Sequence, residues 1–256
     1  MKGLIVLAAG RAKRLGGASK CLMRFDDYGV VLDRLLEPFL PHVDHVRFVV
    51  GYKRDKVMDA ANEVMMTWAN VTWDFVVNPE YATTQTAASL DLGMNDLVPN
   101  SGGRTMLGFE GVYVTNADLV IAHPMFSEVI RDMAEHGVST ALLDPSTVAE
   151  EEVKAICVEG GKQDGKILRI GKGLEPAECR GETVGIYFLS PPAAVAFHLA
   201  YGPYASKLYY EDLFDKLIDE SDMSFKALEI GEKTVIEFDT PEDVKMVEAL
   251  FAELNK

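Results

Sequence analysis

The sequence predicts an α/β fold: a Rossmann-like, mostly parallel sheet flanked by helices, extended in its second half by a small β-rich insertion. Three observations predict it. Short apolar runs alternate with longer stretches of helical apolar spacing through residues 1–143. Most of these runs are continuously apolar, as strands buried on both faces are. The connections are short, as strand–helix–strand crossovers require.

The elements follow in order. Residues 4–8 are the first strand, ending in Ala9 and Gly10. Residues 30–40 carry Val31, Leu32, Leu35, Leu36, Phe39 and Leu40 at helical spacing and stop at Pro41. Residues 46–50 are the second strand, closed by Gly51, and 55–68 are a helix. Residues 71–77 are the third strand, closed by Asn78 and Pro79. A helix over 84–97 is capped by Thr83 or Thr84. Residues 112–115 are the fourth strand, 124–136 a helix and 138–143 the fifth strand. Beyond 144 the pattern changes. Short strands at 153–158 and 166–170 flank a Gly-rich turn, and another strand spans 183–189. Residues 191–201 and 209–219 are helical, and 225–230 and 235–238 are short strands. A last amphipathic helix spans 241–254, with Pro241 in its first turn. No repeat or flexible linker divides the chain, so 1–256 reads as one domain: a first half over 1–143, an inserted region over 144–235, and a closing strand end and helix over 236–256.

Composition narrows the function. The 256 residues are 48% apolar and 25% charged, with a formal charge of −15. That balance excludes a general nucleic-acid or anionic-membrane binder, which needs a basic footprint. The charge is uneven. Residues 1–56 hold eleven Lys and Arg against six Asp and Glu, which leaves −20 on the other 200 residues. A basic start on an acidic chain points to a local anion site. Three scattered cysteines (Cys21, Cys157, Cys179) make neither a disulfide framework nor a zinc cluster, and suggest a reducing, cytoplasmic setting. The N-terminal apolar run reads as a buried strand rather than a leader. No run reaches the roughly 18 apolar residues that span a membrane.

In a parallel sheet, ligands sit at the carboxyl ends of the strands. Those ends carry 10–20, 78–86 and 116–118, which converge on one composite site. In the first, Arg11, Lys13, Arg14 and Lys20 put four cations within ten residues, after a Gly-bearing turn that brings backbone N–H groups near a ligand. Arg forks and Lys point charges match a polyphosphate. Neither the G-x-x-x-x-G-K-[ST] loop nor the G-x-G-x-x-G fingerprint is present. The five histidines have no metal spacing; His123, five residues after Asp118, is the one near a site. Cys21 reads as a small core residue.

The stretch Leu7, Ala8, Ala9, Gly10, Arg11 through Arg14, Leu15 and Lys20 resembles the signature loop of nucleotidyltransferases with the sugar-phosphate nucleotidyltransferase fold (the nucleotide-diphospho-sugar transferase type). Ser19, Lys20, Cys21 and Leu22 are similar to the version in cytidylyltransferases acting on phosphocholine or 2-aminoethylphosphonate. The resemblance implies that Thr84, Gln85, Thr86 and Ser89 read the nucleotide base, and that Ala117 lets the nucleotide approach. It also implies that Asp118 and Asp239 hold Mg²⁺, which prefers one or two carboxylates beside phosphate oxygens. Arg11, Arg14 and Lys20 would neutralise the polyphosphate, and Lys154 and Lys172 would meet the acceptor phosphate. Segments around Glu182 and Tyr187, and Tyr209 to Asp212, resemble acceptor-side motifs of the same branch. Carboxylates among aromatic rings suit an ammonium group, which makes Glu182, Tyr187, Tyr210, Glu211 and Asp212 the acceptor-binding set. Each has a plainer role available: Asp239 lies where it could cap the last helix, and the acids of the 209–212 run favour a helix start.

The implied activity is Mg²⁺-dependent transfer of CMP from CTP to a small phosphate or phosphonate acceptor, with pyrophosphate released, in a possible homodimer. The alternatives are a sugar-1-phosphate or inositol-phosphate nucleotidyltransferase, and a non-catalytic nucleotide-binding subunit that has lost its metal site. A molybdopterin nucleotidyltransferase shares the first loop but not the second-half motifs.

Overall fold

The computed structural model describes residues 1–254 apart from 26–27, 98–108, 123–124, 136, 203, 222 and 232–233. Pro124 and His136, at the ends of the expected fourth helix, and His123 therefore lie outside the described residues. β1 (Lys2–Ala8) leads into a long loop with a 3₁₀ turn (Lys20–Leu22) and a flap of β2 (Arg24–Phe25) and β3 (Gly29–Val30). Then come α1 (Val31–Leu36), β4 (His45–Val50), α2 (Arg54–Met65), β5 (Thr72–Val77) and α3 (Thr86–Met94). β6 (Gly111–Asn116), β7 (Leu119–Ile121), α4 (Phe126–Glu135) and β8 (Ser139–Asp144) complete the first half. The second half holds β9 (Lys154–Cys157), β10 (Ile167–Gly171), β11 (Gly181–Leu189), α5 (Pro191–Ala200) and α6 (Tyr210–Glu220). β12 (Phe225–Glu229), β13 (Val235–Glu237) and α7 (Pro241–Leu254) close the chain.

The expected mostly parallel sheet is present. β5, β4, β1 and β6 are parallel neighbours, with Leu4 opposite Val46 on one side and Tyr113 on the other. β11 runs antiparallel to β6 and to β8, and β12 joins β8 in parallel. The β9–β10 hairpin docks on the start of β11 as the inserted β-rich region. The two-residue period of β1 divides the core. Leu4, Val6 and Ala8 pack on the face covered by α1, α2 and α4, and Ile5 and Leu7 on the face covered by α3, α5 and α6. Each fully buried Leu, Ile or Val contributes about 1.5–3 kcal/mol. Among the described residues no helix is long and apolar enough to cross a membrane.

Three local departures from the sequence reading have clear causes. The helix expected over 30–40 stops at Leu36, and Pro41 sits in a separate 3₁₀ turn, Leu40–His42. The N-cap of α3 is Gln85, not Thr83 or Thr84. Both threonine hydroxyls donate back to the Glu80 carbonyl, at 3.2 and 2.9 Å, and so serve the preceding turn. The third is β7, three residues long, which the sequence reading missed and which pairs with β13 outside the main sheet.

That small ribbon is fastened by its own core. Phe25, Tyr28, Val31, Val120, Ile236, Phe238, Val247 and Phe251 form a cluster separate from the two sheet faces. Phe238 is fully buried and meets Phe25 edge-on, ring centroids 5.6 Å apart. Phe238→Ala should lower stability by about 3–5 kcal/mol through the cavity it leaves, read as a shift of the urea midpoint; a loss under about 1 kcal/mol would show that the ribbon is held by other contacts.

Candidate active site

β1 delivers its loop to the top of the sheet. The loop closes on itself through an Ala12–Ala18 bridge, with Gly17 N–H on the Ala12 carbonyl at 2.8 Å. Gly16 and Gly17 have φ of 65° and 75°, a region closed to most side chains. Tyr52 Oη and Lys53 Nζ both donate to the Gly17 carbonyl at 2.9 Å, and the Arg11 guanidinium lies over the Tyr52 ring at 5.3 Å. The cationic loop is thus fixed to the end of β4.

Opposite it stand three carboxylates. Asp118 lies in the turn between β6 and β7. The β7–β13 pairing sets Glu237 opposite Leu119, and so brings Glu237 and Asp239 to the same turn. Asp118, Glu237 and Asp239 each offer an oxygen within 4.8 Å of the others. Asp239 is not spent on the helix start, because Thr240 and Asp243 cap α7 reciprocally. Asp243 accepts the N–H groups of Asp239 and Thr240 at 2.9 and 2.8 Å, and Thr240 Oγ1 accepts that of Asp243 at 3.2 Å. Lys20 sends its ammonium into the trio: 2.8 Å from Asp118, hydrogen-bonded to Asp239, and 3.8 Å from Glu237. Burial opposes the charge on Lys20, but Asp118, Asp239 and Glu237 outweigh it and hold the ammonium protonated beyond the ordinary lysine range. Arg14 adds a contact to Asp239 at 3.4 Å.

The trio fits a divalent cation on its own chemistry. It is an all-oxygen donor set, and Asp118 Oδ1 is buried without a hydrogen-bond partner. Glu237 escaped the sequence reading; its only signal was two-residue spacing from Asp239. The Cys21 thiol, raised to about 11 by burial, is no nucleophile.

Two adjoining cavities, about 490 and 600 Å³, share Leu7, Gly10, Arg11, Lys13, Asp118, Tyr209 and Glu237. The first is walled by the loop cations Arg11, Lys13, Arg14 and Lys20, by Ala8 and Ala117, and by the carboxylate trio. The second is walled by Ala9, Thr84, Gln85, Thr86 and Ser89, and further along by Lys172, Tyr210 and Glu211. Asn78, which the sequence reading used only to end a strand, ties this wall together. Its amide donates to Thr84 and Ser89 at 3.2 and 3.0 Å, and its oxygen accepts the Glu80 N–H.

Four acceptor-side expectations need correction. Lys154 is fully buried, and its ammonium donates to the carbonyls of Ala149, Glu150, Glu152 and Lys172 at 2.8–3.0 Å, so it has no donor left for a phosphate. Glu182 accepts from Thr147 Oγ1 at 2.7 Å and from the Ala149 N–H, and so holds a turn. Asp212 caps α6 by accepting the Tyr209 N–H at 2.9 Å. Tyr187 is buried behind the wall, donating toward Thr183 and Glu211 at 2.9 and 3.2 Å. Lys172 does reach the second cavity, its ammonium 5.0 Å from the Tyr209 ring centre. Tyr210 lies against Asn116, its hydroxyl 3.2 Å from Oδ1. The chain there needs Gly185: its φ is 73°, and a Cβ would stand 2.9 Å from the Asn116 amide.

Several known proteins are similar to this chain. The profile of the MobA-like NTP transferase domain matches residues 4–167. The inositol-1-phosphate CTP transferase from T. maritima superposes with a TM-score of 0.74 at 17% identity, covering 100% of this chain and 97% of that one. The CTP:phosphocholine cytidylyltransferase from Streptococcus pneumoniae gives 0.66 at 19%, covering 100% and 99%. A UDP-glucose pyrophosphorylase bound to UDP-glucose gives 0.73 at 10%, covering 99% of both chains. At these identities the superpositions establish the shared fold. No match was found among curated proteins.

Glu211 generates a pH prediction. It is buried in the cavity wall, and among the described residues no cation pairs with it. Burial pushes its carboxyl from 4.5 up to about 7, against the pull of the Tyr210 and Tyr187 hydroxyls. The folded protein therefore keeps a proton that the unfolded chain loses, and stability falls as pH rises from about 4.5 to about 7. Urea midpoints of wild type and Glu211→Gln should diverge across that window, with the wild type losing more; parallel pH curves would contradict it.

Proposed function

The chain belongs to the MobA-like NTP transferase domain family, and from that premise we propose that it is a Mg²⁺-dependent cytidylyltransferase, moving CMP from CTP to a small phosphate or phosphonate acceptor such as phosphocholine or 2-aminoethylphosphonate. One observation carries this reading. A single cleft joins a cationic loop, a carboxylate trio and, past Tyr209, a compartment with a lysine at its wall and a buried carboxylate without a cation.

The acceptor's phosphate or phosphonate oxygen is already anionic, so attack on the α-phosphorus needs no nucleophilic side chain. The bond to the bridging oxygen breaks and pyrophosphate leaves. The chain's task is positioning and charge neutralisation. Arg11, Arg14 and Lys20 bind the triphosphate and offset the charge that develops on the leaving group. Thr84, Gln85, Thr86 and Ser89 present polar atoms to the base edge. Lys172 attracts the acceptor phosphate, and Glu211, with Tyr210 beside it, receives an ammonium group. A divalent cation, when bound, would be held by Asp118, Asp239 and Glu237 and would neutralise phosphate charge. CTP is chosen as donor on the loop resemblance, and two of the similar folds are CTP-using enzymes.

An acceptor with hydroxyls in place of the amine, such as inositol phosphate or a sugar 1-phosphate, would use Glu211 as a hydrogen-bond acceptor and is the alternative within the same chemistry. A non-catalytic subunit has no use for three converging carboxylates. The test is pyrophosphate release over the four nucleoside triphosphates, crossed with phosphocholine, 2-aminoethylphosphonate, inositol 1-phosphate and glucose 1-phosphate. Turnover is expected with CTP and an amine-bearing acceptor. Turnover with the polyols alone moves the assignment to them, and tight nucleotide binding without turnover moves it to the regulatory subunit. In the same assay Asp118→Asn should cut kcat on the order of 10²-fold or more with an unchanged unfolding curve; near-normal activity would remove Asp118 from the cation site.

A further inference from the structure

We propose that the Lys20 ammonium and a divalent cation compete for one seat formed by Asp118, Glu237 and Asp239, and that the seat opens to metal when Lys20 turns onto the triphosphate. This rests on the reading of the cleft as a nucleotide site and adds an order of events to it. It also assigns Glu237 a part in holding the cation.

The geometry supports it at three points. First, Lys20 touches the very oxygens that converge. Its Nζ is 2.8 Å from Asp118 Oδ2, is hydrogen-bonded to Asp239 Oδ1, and is 3.8 Å from Glu237 Oε1. Second, Lys20 borders the cavity walled by Arg11, Lys13 and Arg14, so its flexible four-carbon stem has an alternative anionic partner within the same space. Third, the seat is not saturated by the lysine, because Asp118 Oδ1 stays buried and unbonded.

Charge decides between coexistence and exchange. With Lys20 in place and Arg14 3.4 Å from Asp239, two side-chain cations already stand against the carboxylate trio. A divalent cation added there would share oxygens with an ammonium at hydrogen-bond range, and the two like charges would repel strongly. With Lys20 withdrawn, the ammonium no longer opposes the incoming cation, and the freed carboxylate oxygens face it. The triphosphate supplies the pull that withdraws the lysine, since its oxygens accept the ammonium's N–H groups as the carboxylates did. Without nucleotide, Lys20 therefore occupies the seat and offsets part of its charge, and metal enters together with nucleotide.

The experiment is Mn²⁺ binding to the full chain without nucleotide, read from the free-Mn²⁺ EPR signal. Lys20→Met should bind one Mn²⁺ roughly tenfold or more tightly than wild type, since the competing charge is gone. Adding Glu237→Gln should remove most of that gain. Lys20→Gln, which keeps a neutral donor to the carboxylates, serves if Lys20→Met does not fold, and Mn²⁺ should raise the Tm of either variant more than that of wild type. A folded Lys20 variant that binds Mn²⁺ no more tightly than wild type overturns the exchange while leaving the cytidylyltransferase reading intact. A gain that survives Glu237→Gln overturns the part given to Glu237. Absence of Mn²⁺ binding in every protein, even with CTP added and beyond what the same CTP binds without protein, overturns the exchange together with the metal-dependent reading beneath it.

Discussion

Lys20 sets one ammonium among carboxylates that come from 98 and 219 residues further along the chain. Three ionised carboxylates with oxygens within 4.8 Å repel one another; burial and Asp118 push the Glu237 carboxyl up to about 8, and the Lys20 ammonium offsets the rest of the strain. Everything around the site serves to bring these charges together. β1 must end where it does to launch the cationic loop, and β6 must stop two residues short of Asp118. The C-terminal segment must return across the molecule so that β13 pairs with β7. The apolar cluster of Phe25, Val120, Ile236 and Phe238 supplies the favourable burial that keeps this return in place. The ion contacts then need only select among positions that the apolar packing already permits.

Residues whose positions are set by chain-local geometry were legible in the sequence. Arg11, Arg14 and Lys20 sit on one loop directly after a strand, and Asp118 follows another strand end, so strand periodicity alone sends them to the same edge of the sheet. Glu237 was not legible, because its place depends on a three-residue ribbon too short to carry a period. The wall of the second cavity shows the complementary failure. Tyr210 and Glu211 reach the cavity while Asp212, the next residue, turns to cap the helix start. Lys154 sits in register with Gly171, one residue from Lys172, yet it points inward to four carbonyls while Lys172 meets the cavity. Adjacent residues of one motif divide between wall and scaffold, and only the three-dimensional register decides which is which.

The match to the MobA-like NTP transferase domain ends at residue 167, where β10 begins. The cationic loop and Asp118 lie inside it, whereas Lys172, Tyr210, Glu211, Glu237 and Asp239 lie beyond. The sheet and first loop that followed the expected pattern lie inside the matched span, whereas Glu182, Tyr187, Asp212 and Glu237, whose places the sequence misjudged or missed, lie beyond it. The buried Glu211 is the most specific feature of the second cavity's wall. A carboxylate kept from water without a protein cation is costly unless a ligand completes it or a proton neutralises it.

A crystal structure with CTP and Mn²⁺ tests the central claim most directly, by the anomalous signal of the metal. One manganese peak ligated by Asp118 and Asp239, with the triphosphate along Arg11, Arg14 and a Lys20 that has left the carboxylates, is the predicted result. A triphosphate bound away from this loop, or a manganese peak distant from Asp118, would contradict it.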